Sequence, residues 1–524
     1  MKKLFSNSFS YHCIIFIFAV VFVGLYNDTF WLKIHSYSIE DGNGGYFLIS
    51  TIFIAYVLIL SLAMELITFR ITAKWLIGIL VCIAGVSQYY MKTFDITIND
   101  MVIESLFNTH FSEAKEFITI GLFFSFLGYV IFPIFILYMM KLSSKTPFVK
   151  GMYVKIFFVL MYVLLISGIY LWQGSNIVFA FKSSKSIIYM TNPISTIRSG
   201  VDYVLNSYGN TKQFVHIGLD ARLSEDHHKK IFVLVIGESA RAANYSLNGY
   251  ARDTNRYTQK LDSLVNFRNF YSCGVITAIS IPCMLTNYTH QTYKKRNQSL
   301  YIDNLLDIVQ RAGYETYWIS NNGGSCMGDV CVRIKNIKYY NDGDFDGVML
   351  GEIGALIKNA KKDSLIVVNL HGSHGALYYQ RYPKNFEIFT PVCKDKELQK
   401  CSYQEIVNAY DNSLIYTDYF IAQVISSLQE KKGFSVGLWY LSDHGESLGE
   451  YGQYMHGGLP YALSPDFQKH IPSMIWLGRG FQGDFDRLNK QKDRQLSQDY
   501  LFHTMLDLLD IQTSVYEKQL DILE

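Results

Sequence analysis

The chain has 524 residues, half of them hydrophobic and 15% aromatic, which is long for a single domain and apolar for a soluble enzyme. Lys and Arg (47) nearly balance Asp and Glu (45), and a net charge of +2 supplies no basic face of the kind nucleic-acid binding requires. Charge is sparse in the first third, and the remainder reads like a soluble globular domain.

Five apolar stretches approach or exceed the ~20 residues that a bilayer-spanning helix needs. They lie near Tyr11–Leu25, Tyr46–Ile67, Lys74–Tyr90, Ile118–Met140 and Tyr153–Trp172. Lys2 and Lys3 precede the first, as in a signal peptide, but no small-residue cleavage site follows: Asn27-Asp28-Thr29-Phe30-Trp31 is a poor one. A membrane anchor is therefore expected. Lys2 and Lys3, then Arg70 and Lys74, then Lys141, Lys145, Lys150 and Lys155 mark cytoplasmic ends. The alternate loops hold fewer cations, Lys33 in one and Lys92 with Lys115 in the other. An odd number of spans puts everything after Trp172 outside the cytoplasm. The expected layout is a membrane domain over 1–173, a linker over 174–230 and an exported domain over 231–524.

The cysteines bear on this topology. Of eight, Cys13 and Cys82 fall inside spans, and the other six follow the last span in close pairs. Cys273/Cys283, Cys326/Cys331 and Cys393/Cys401 are expected as three local disulfides of an oxidising compartment. None has C-x-x-C spacing with a nearby histidine, as a structural zinc site would. In the linker, Ile197, Val201, Val204 and Leu205 suit one face of a helix over Ser195–Tyr208, and Glu225–Lys230 reads as a solvated turn.

Beyond Lys230, β-branched apolar runs alternate with amphipathic helices. Strands are expected at Ile231–Gly237, Tyr317–Ser320, Leu365–Leu370, Val436–Leu441 and Ile471–Leu477. Helices are expected at Leu305–Arg311, Glu352–Ala360, Tyr403–Gln429 and Asp499–Leu509. This alternation implies a parallel sheet with helices on both faces. Polar residues stand at the strand ends: Glu238, His371, His374, Asp443, His444 and, further on, His456. In such sheets, sites form beyond the carboxyl ends of the strands. Carboxylate and imidazole together are ligands that zinc accepts. Each residue also has a plainer role, Glu238 or Asp443 as a helix cap and His444 as a core histidine; it is their joint occurrence that points to a site.

Several segments resemble a known family. Val235-Ile236-Gly237-Glu238-Ser239-Ala240-Arg241, Leu247-Asn248-Gly249-Tyr250 and Arg252-Asp253-Thr254 are similar to its metal-binding strand end and the loop that follows. Ser272–Thr277 with Ser280-Ile281-Pro282-Cys283 resembles its nucleophile loop. Ser373-His374-Gly375 with Tyr379–Pro383, and Ser442–Glu450 with His456, resemble its histidine and metal motifs. The chain is identified on these motifs as similar, over essentially its full length, to bacterial phosphoethanolamine transferases. That family includes the lipid A modifiers and colistin-resistance enzymes of the alkaline phosphatase and sulfatase-like superfamily.

The resemblance implies five spans followed by a periplasmic α/β/α sandwich, in the inner membrane of a Gram-negative bacterium. It implies Thr277 as nucleophile and Glu238, Thr277, Asp443 and His444 as ligands of one catalytic Zn2+. It assigns His374 and His456 to the phosphate group or a second zinc, and Glu446 to the lining of the site. It implies phosphatidylethanolamine as donor, lipid A or another lipopolysaccharide group as acceptor, and membrane lipids as surroundings. Glu104, Asn108 and Ser112 share one helical face in the loop that carries substrate contacts in relatives. Two rivals stay open: a membrane-anchored sulfatase or glycerol phosphate transferase of the same superfamily, and a non-catalytic protein that only holds a metal.

Overall fold

The computed structural model describes residues 8–524 apart from 41–43, 95, 100–101, 104–105, 108–117, 144–146, 184, 209–212, 294–295, 323–325, 341–343 and 458. Glu104, Asn108 and Ser112 lie outside the described residues. The chain forms two compact units, Met1–Ile103 with Ile118–Asp202, and Glu104–Phe117 with Tyr203–Glu524.

The first unit is built of apolar helices: α1 (Tyr11–Leu25), α2 (Gly45–Ile67), α3 (Ala73–Phe94), α4 (Ile120–Met139) and α5 (Phe148–Ser183). Four of them are long and apolar enough to cross a membrane. The first is not. Its 15 residues rise only ~22 Å at 1.5 Å each, short of a ~30 Å hydrocarbon core. A bend of 64° then leads into Asp28–Ile39, and α1 makes a fifth span only if the bent pair counts as one. The bend falls at a polar junction: the Asn27 side-chain amide donates to Phe22 O (2.8 Å), which also accepts the Tyr26 N–H (3.2 Å), and to Asn192 O (2.8 Å), remote in sequence. His12 of α1 and Glu65 of α2 form a buried pair at 2.8 Å that joins the two helices. After α5 comes helix α6 (Ile194–Tyr208).

The second unit is a three-layer sandwich around an eight-stranded sheet. In chain order its strands are β1 (Lys230–Gly237), β2 (Leu264–Tyr271), β3 (Glu315–Ser320), β4 (Asn336–Tyr339), β5 (Ser364–Asn369), β6 (Ser435–Ser442), β7 (His470–Leu477) and β8 (Leu496–Ser497). Across the sheet they lie in the order β8-β2-β7-β6-β1-β5-β3-β4. The helices that flank or terminate these strands are α7 (Thr277–Met284), α8 (Leu305–Arg311), α9 (Leu350–Asn359), α10 (Tyr403–Glu430), α11 (Gln482–Gln491) and α12 (Leu501–Leu508).

β1, β5 and β6 are buried along their whole lengths, as apolar runs covered on both faces must be. Phe232, Leu234 and Ile236 of β1 point into a core shared with Leu305, Leu306, Met505 and Leu506 of α8 and α12. Alternation places Ile231, Val233 and Val235 on the opposite face.

The sheet is not wholly parallel. β7 runs antiparallel to both β2 and β6, while the other neighbouring pairs are parallel. The stretch between β6 and β7 holds the loop with Asp443, His444 and His456 and, among the described residues, no crossover α-helix, so the chain re-enters the sheet from the edge it left. One edge therefore collects the carboxyl ends of β1, β2, β3, β5 and β6 together with the start of β7.

Candidate active site

Each strand end delivers one part of a buried polar cluster. Glu238 follows β1, and Ser239 after it adopts φ +56°, a conformation that costs a non-glycine residue energy. The turn aims the Ser239 N–H at Asp443 Oδ1 (3.2 Å) and its hydroxyl at Glu238 Oε1 (2.7 Å). Asn322, past β3, donates to Glu238 Oε2 (2.8 Å). After β5, Gly372 has φ +54°, and a Cβ there would lie 2.8 Å from Glu238 O. Only glycine lets the histidine loop pass so close to the β1 strand end. The Gly372 and His371 N–H groups both donate to the buried Asp346 carboxylate (2.9 Å each). From across the sheet, α10 sends Tyr410, whose hydroxyl donates to Ser239 O (2.7 Å) and accepts from Arg241 N (3.0 Å).

Thr277 opens α7, after β2. Its Oγ1 lies 3.0 Å from Glu238 Oε2 and 3.2 Å from His444 Nε2. His444 Nε2 in turn is 3.3 Å from both Glu238 Oε1 and Asp443 Oδ2. On the far side of the ring, His444 Nδ1 is 2.9 Å from Gly445 O, which can only accept. Nδ1 therefore carries the proton, and the Nε2 lone pair faces the two carboxylates in the neutral ring. Asp443 Oδ2 is buried and accepts no hydrogen bond. Two buried carboxylates, an imidazole lone pair and a hydroxyl oxygen around one point form an oxygen and nitrogen donor set that fits zinc.

The electrostatics agree with that fit. Burial and the Glu238 charge push the Asp443 carboxyl up to about 8. Burial opposes charge on His444, but Asp443 and Glu238 outweigh it and lift the ring to about 10. Burial also opposes ionisation of Glu238, and His444 overrides it, holding that carboxyl well below its ordinary range. These groups compete for a positive charge at one point, which a divalent cation would supply in place of a proton.

The remaining expected residues lie beside this centre. His456 Nδ1 is 2.7 Å from Glu446 Oε2, and the His456 ring is centred 4.0 Å from that of His444. Ligand atoms of Glu238, His444 and His456 all lie within 4.8 Å of one another. Glu446 also accepts from Tyr378 (2.6 Å), and burial lifts its carboxyl to about 8. The His374 ring lies 6.0 Å from His456 and 5.7 Å from His371. The structure thus brings Glu238, Thr277, Asp443, His444, His456 and Glu446 together, with His374 at the margin. The contributions of Asn322, Ser239 and Tyr378 go beyond the roles expected from the sequence. Asn322 stands at a strand end, the signal that marks Glu238, but Tyr378 and the backbone of Ser239 carry none.

Among the described residues Cys273–Cys283, Cys326–Cys331 and Cys393–Cys401 are disulfide-bonded, and the first encloses Thr277. Among the described residues His227 belongs to no metal-ligand cluster: its ring nitrogens sit 2.8 Å from Asp363 and 3.0 Å from Asp510.

A sulfatase-like α/β domain with such a centre, preceded by apolar helices, defines a class of membrane-anchored group-transfer enzymes, and comparison with known proteins agrees. The sulfatase profile matches residues 230–511, and the profile for phosphoethanolamine transferase EptA/EptB matches residues 56–208. Phosphoethanolamine transferase EptA of Escherichia coli K12 is 34% identical over 486 residues, 89% of this chain and 88% of that protein. Phosphatidylethanolamine transferase Mcr-1 of Escherichia coli is 30% identical over 515 residues, 94% of each. The structure of the integral membrane lipooligosaccharide phosphoethanolamine transferase A from Neisseria meningitidis matches with a TM-score of 0.92 at 28% identity, covering 98% of this chain and 99% of that one. The chain belongs to the phosphoethanolamine transferases, and it is an enzyme of that class.

Proposed function

We propose that the protein transfers phosphoethanolamine from phosphatidylethanolamine to lipid A or a neighbouring lipopolysaccharide group, through a covalent intermediate on Thr277 held at one zinc ion. The observation that carries this reading is the placement of Thr277 Oγ1 within 3.2 Å of both Glu238 and His444, beside an Asp443 oxygen that accepts no hydrogen bond. The names of EptA and Mcr-1 supply the transferred group and the donor lipid, and that of a Kdo2-lipid A phosphoethanolamine 7''-transferase, 24% identical, supplies an acceptor of the lipid A type. Placement in the inner membrane with the second unit in the periplasm rests on the lysine distribution and the bridged cysteines. The layout 1–173, 174–230 and 231–524 belongs to the same reading.

Glu238, Thr277, Asp443 and His444 would hold the zinc, which supplies positive charge that favours an ionised threonine oxygen and offsets charge on the phosphoryl group. In the first half-reaction a bond forms between Thr277 Oγ1 and phosphorus as the phosphorus–oxygen bond to diacylglycerol breaks. The proton lost by Thr277 ends on the departing glycerol oxygen. In the second, an acceptor oxygen bonds to the same phosphorus as the bond from phosphorus to Thr277 Oγ1 breaks, and the acceptor's proton ends on Thr277 Oγ1, restoring its hydroxyl. His374 and His456 stand where they can bind the phosphoryl oxygens, or a second zinc. Glu446 fixes His456 through its 2.7 Å contact. Such catalysis is chiefly positioning and electrostatics.

The test is full-length protein in detergent with headgroup-labelled phosphatidylethanolamine and lipid A. Label is expected on Thr277 by peptide mass spectrometry when acceptor is withheld, and on lipid A when it is added. Thr277→Ala should lower turnover by about 10³-fold or more at unchanged melting temperature. Unimpaired transfer by that variant would refute the covalent route, and glycerol phosphate on the acceptor would favour the superfamily rival.

A further inference from the structure

Gln498 lies at the end of β8, the sheet's edge strand, and is fully buried. Its side-chain amide is completely engaged. Nε2 donates to Ser442 O and Asp443 O, both at 2.8 Å. Oε1 accepts from Cys273 N at 2.7 Å and lies 3.3 Å from Ser280 Oγ, whose proton is also within reach of Gly274 O. An amide has two donor hydrogens and two acceptor lone pairs, and each has a counterpart here. Its orientation is unambiguous, since two carbonyls can only accept and the Cys273 N–H can only donate.

These partners belong to the two loops that must meet for the site to exist. Ser442 and Asp443 begin the loop that presents Asp443 and His444. Cys273 and Ser280 flank the loop that presents Thr277. Strands lie ~4.8 Å apart and β7 separates β2 from β6, so those strand ends stand roughly 10 Å apart. The segment entering β7 also reaches both loops through its backbone, with Lys469 O accepting the Ser272 N–H (2.8 Å) and Gln468 O the Gly445 N–H (3.0 Å), and Gln498 adds a bridge made by a single side chain.

We propose that Gln498 is a positioning residue that sets the separation between the Thr277 oxygen and the Asp443/His444 pair, and through it the geometry of the metal centre. The inference rests on the zinc reading above.

The experiment uses full-length protein and reads zinc affinity by competition with a chromophoric chelator, melting temperature, and the split of transfer kinetics into kcat and KM. Gln498→Met keeps length and volume without the hydrogen bonds. It should weaken zinc by about 10–100-fold, as loss of a group supporting metal ligands does. kcat should fall by a comparable factor, with KM for the donor within about twofold, because ground-state binding is untouched. In a Thr277→Ala background the same change should cost less than about threefold in zinc affinity, because non-additivity marks residues acting through one another.

Gln498→Asn, which keeps the amide one methylene short, should shift the same readouts in the same direction if Gln498→Met fails to fold. Zinc affinity and kcat within twofold of wild type, or equal losses with and without Thr277, would overturn the inference. A wild type that holds no zinc overturns the parent reading and this inference together, whereas zinc-replete wild type with indifferent Gln498 variants overturns this inference alone.

Discussion

His503 illustrates how one side chain can make the fold sensitive to pH far from the site. It is buried in α12, its Nδ1 accepts the Glu517 N–H at 3.0 Å, and its Nε2 has no hydrogen-bond partner among the described residues. Burial therefore holds its pKa below the ordinary value of 6.5, and Glu517 and Asp521 only partly oppose this. With the folded-state value below the unfolded one, the unfolded chain takes up the proton first. The stability this residue contributes is complete above about pH 6.5 and is lost as pH falls toward the depressed value. His503→Asn places an oxygen where Nδ1 was and removes the titration. Denaturant unfolding at pH 7.5 and pH 5.5 should show wild type losing more stability than the variant. An equal loss would assign the acid sensitivity elsewhere. Ser239 and Gly372 make the same point about backbone: each holds a left-handed conformation because a neighbouring chain segment demands it.

At the scale of elements, α10 is the brace behind the site. It begins with a reciprocal cap, in which Ser402 Oγ accepts the Glu405 N–H and Glu405 returns a bond to the Ser402 N–H. Two turns later Tyr410 reaches the strand-end loop of β1. Tyr410→Phe leaves the Ser239 carbonyl and the Arg241 N–H buried without this partner, which costs about 1–3 kcal/mol. Because Ser239 also orients toward Glu238 and Asp443, the variant should lose transfer activity beyond its loss of stability. Chemical denaturation and initial rates on the same preparation check this, and full activity per folded molecule would limit Tyr410 to a stabilising role. The loop that carries Thr277 is braced differently. α7 is only eight residues long and is tied to the end of β2 by the Cys273–Cys283 bridge. A hydroxyl that must meet fixed ligands within a few tenths of an ångström cannot ride on a mobile segment.

At the scale of the molecule, the open quantity is the number of crossings. Four helices suffice by length, and α1 joins them only with the segment beyond its bend. Five crossings put the two ends of the chain on opposite sides of the membrane; four put them on the same side. Alkaline phosphatase fused after Glu524 should be active in cells, because it folds only where its disulfides form. An epitope placed ahead of Met1 should be shielded from antibody in intact spheroplasts, because five crossings leave that end in the cytoplasm. An inactive reporter after Glu524, or an accessible epitope ahead of Met1, would contradict five spans with an exported second unit. A membrane anchor suits the proposed transfer from one lipid to another, because it would confine enzyme and substrates to one surface.

The elements expected from local pattern are those whose periodicity is intrinsic. α8 spans the expected Leu305–Arg311, and β1 starts one residue before the expected Ile231, at Lys230. Both are continuous signals, a capped amphipathic turn and an unbroken β-branched run. Glu238, Asp443 and His444 were visible for the same reason, as polar residues ending apolar strands. The strand β2 was not among those expected: Asn266 and Arg268 interrupt its apolar residues, and its place in the sheet depends on pairing with β7 and β8, remote in sequence.

The sequence by itself determined the apolar helices, most of the strands and the identities of the residues at their ends, because hydrophobic period and strand-end polarity are written in neighbouring positions. Tertiary structure alone decided that β7 runs backward, that α1 bends at Asn27, and that Gln498 and Tyr410 reach the site loops. Those outcomes are set by contacts between residues tens to hundreds of positions apart, and no local window contains both partners.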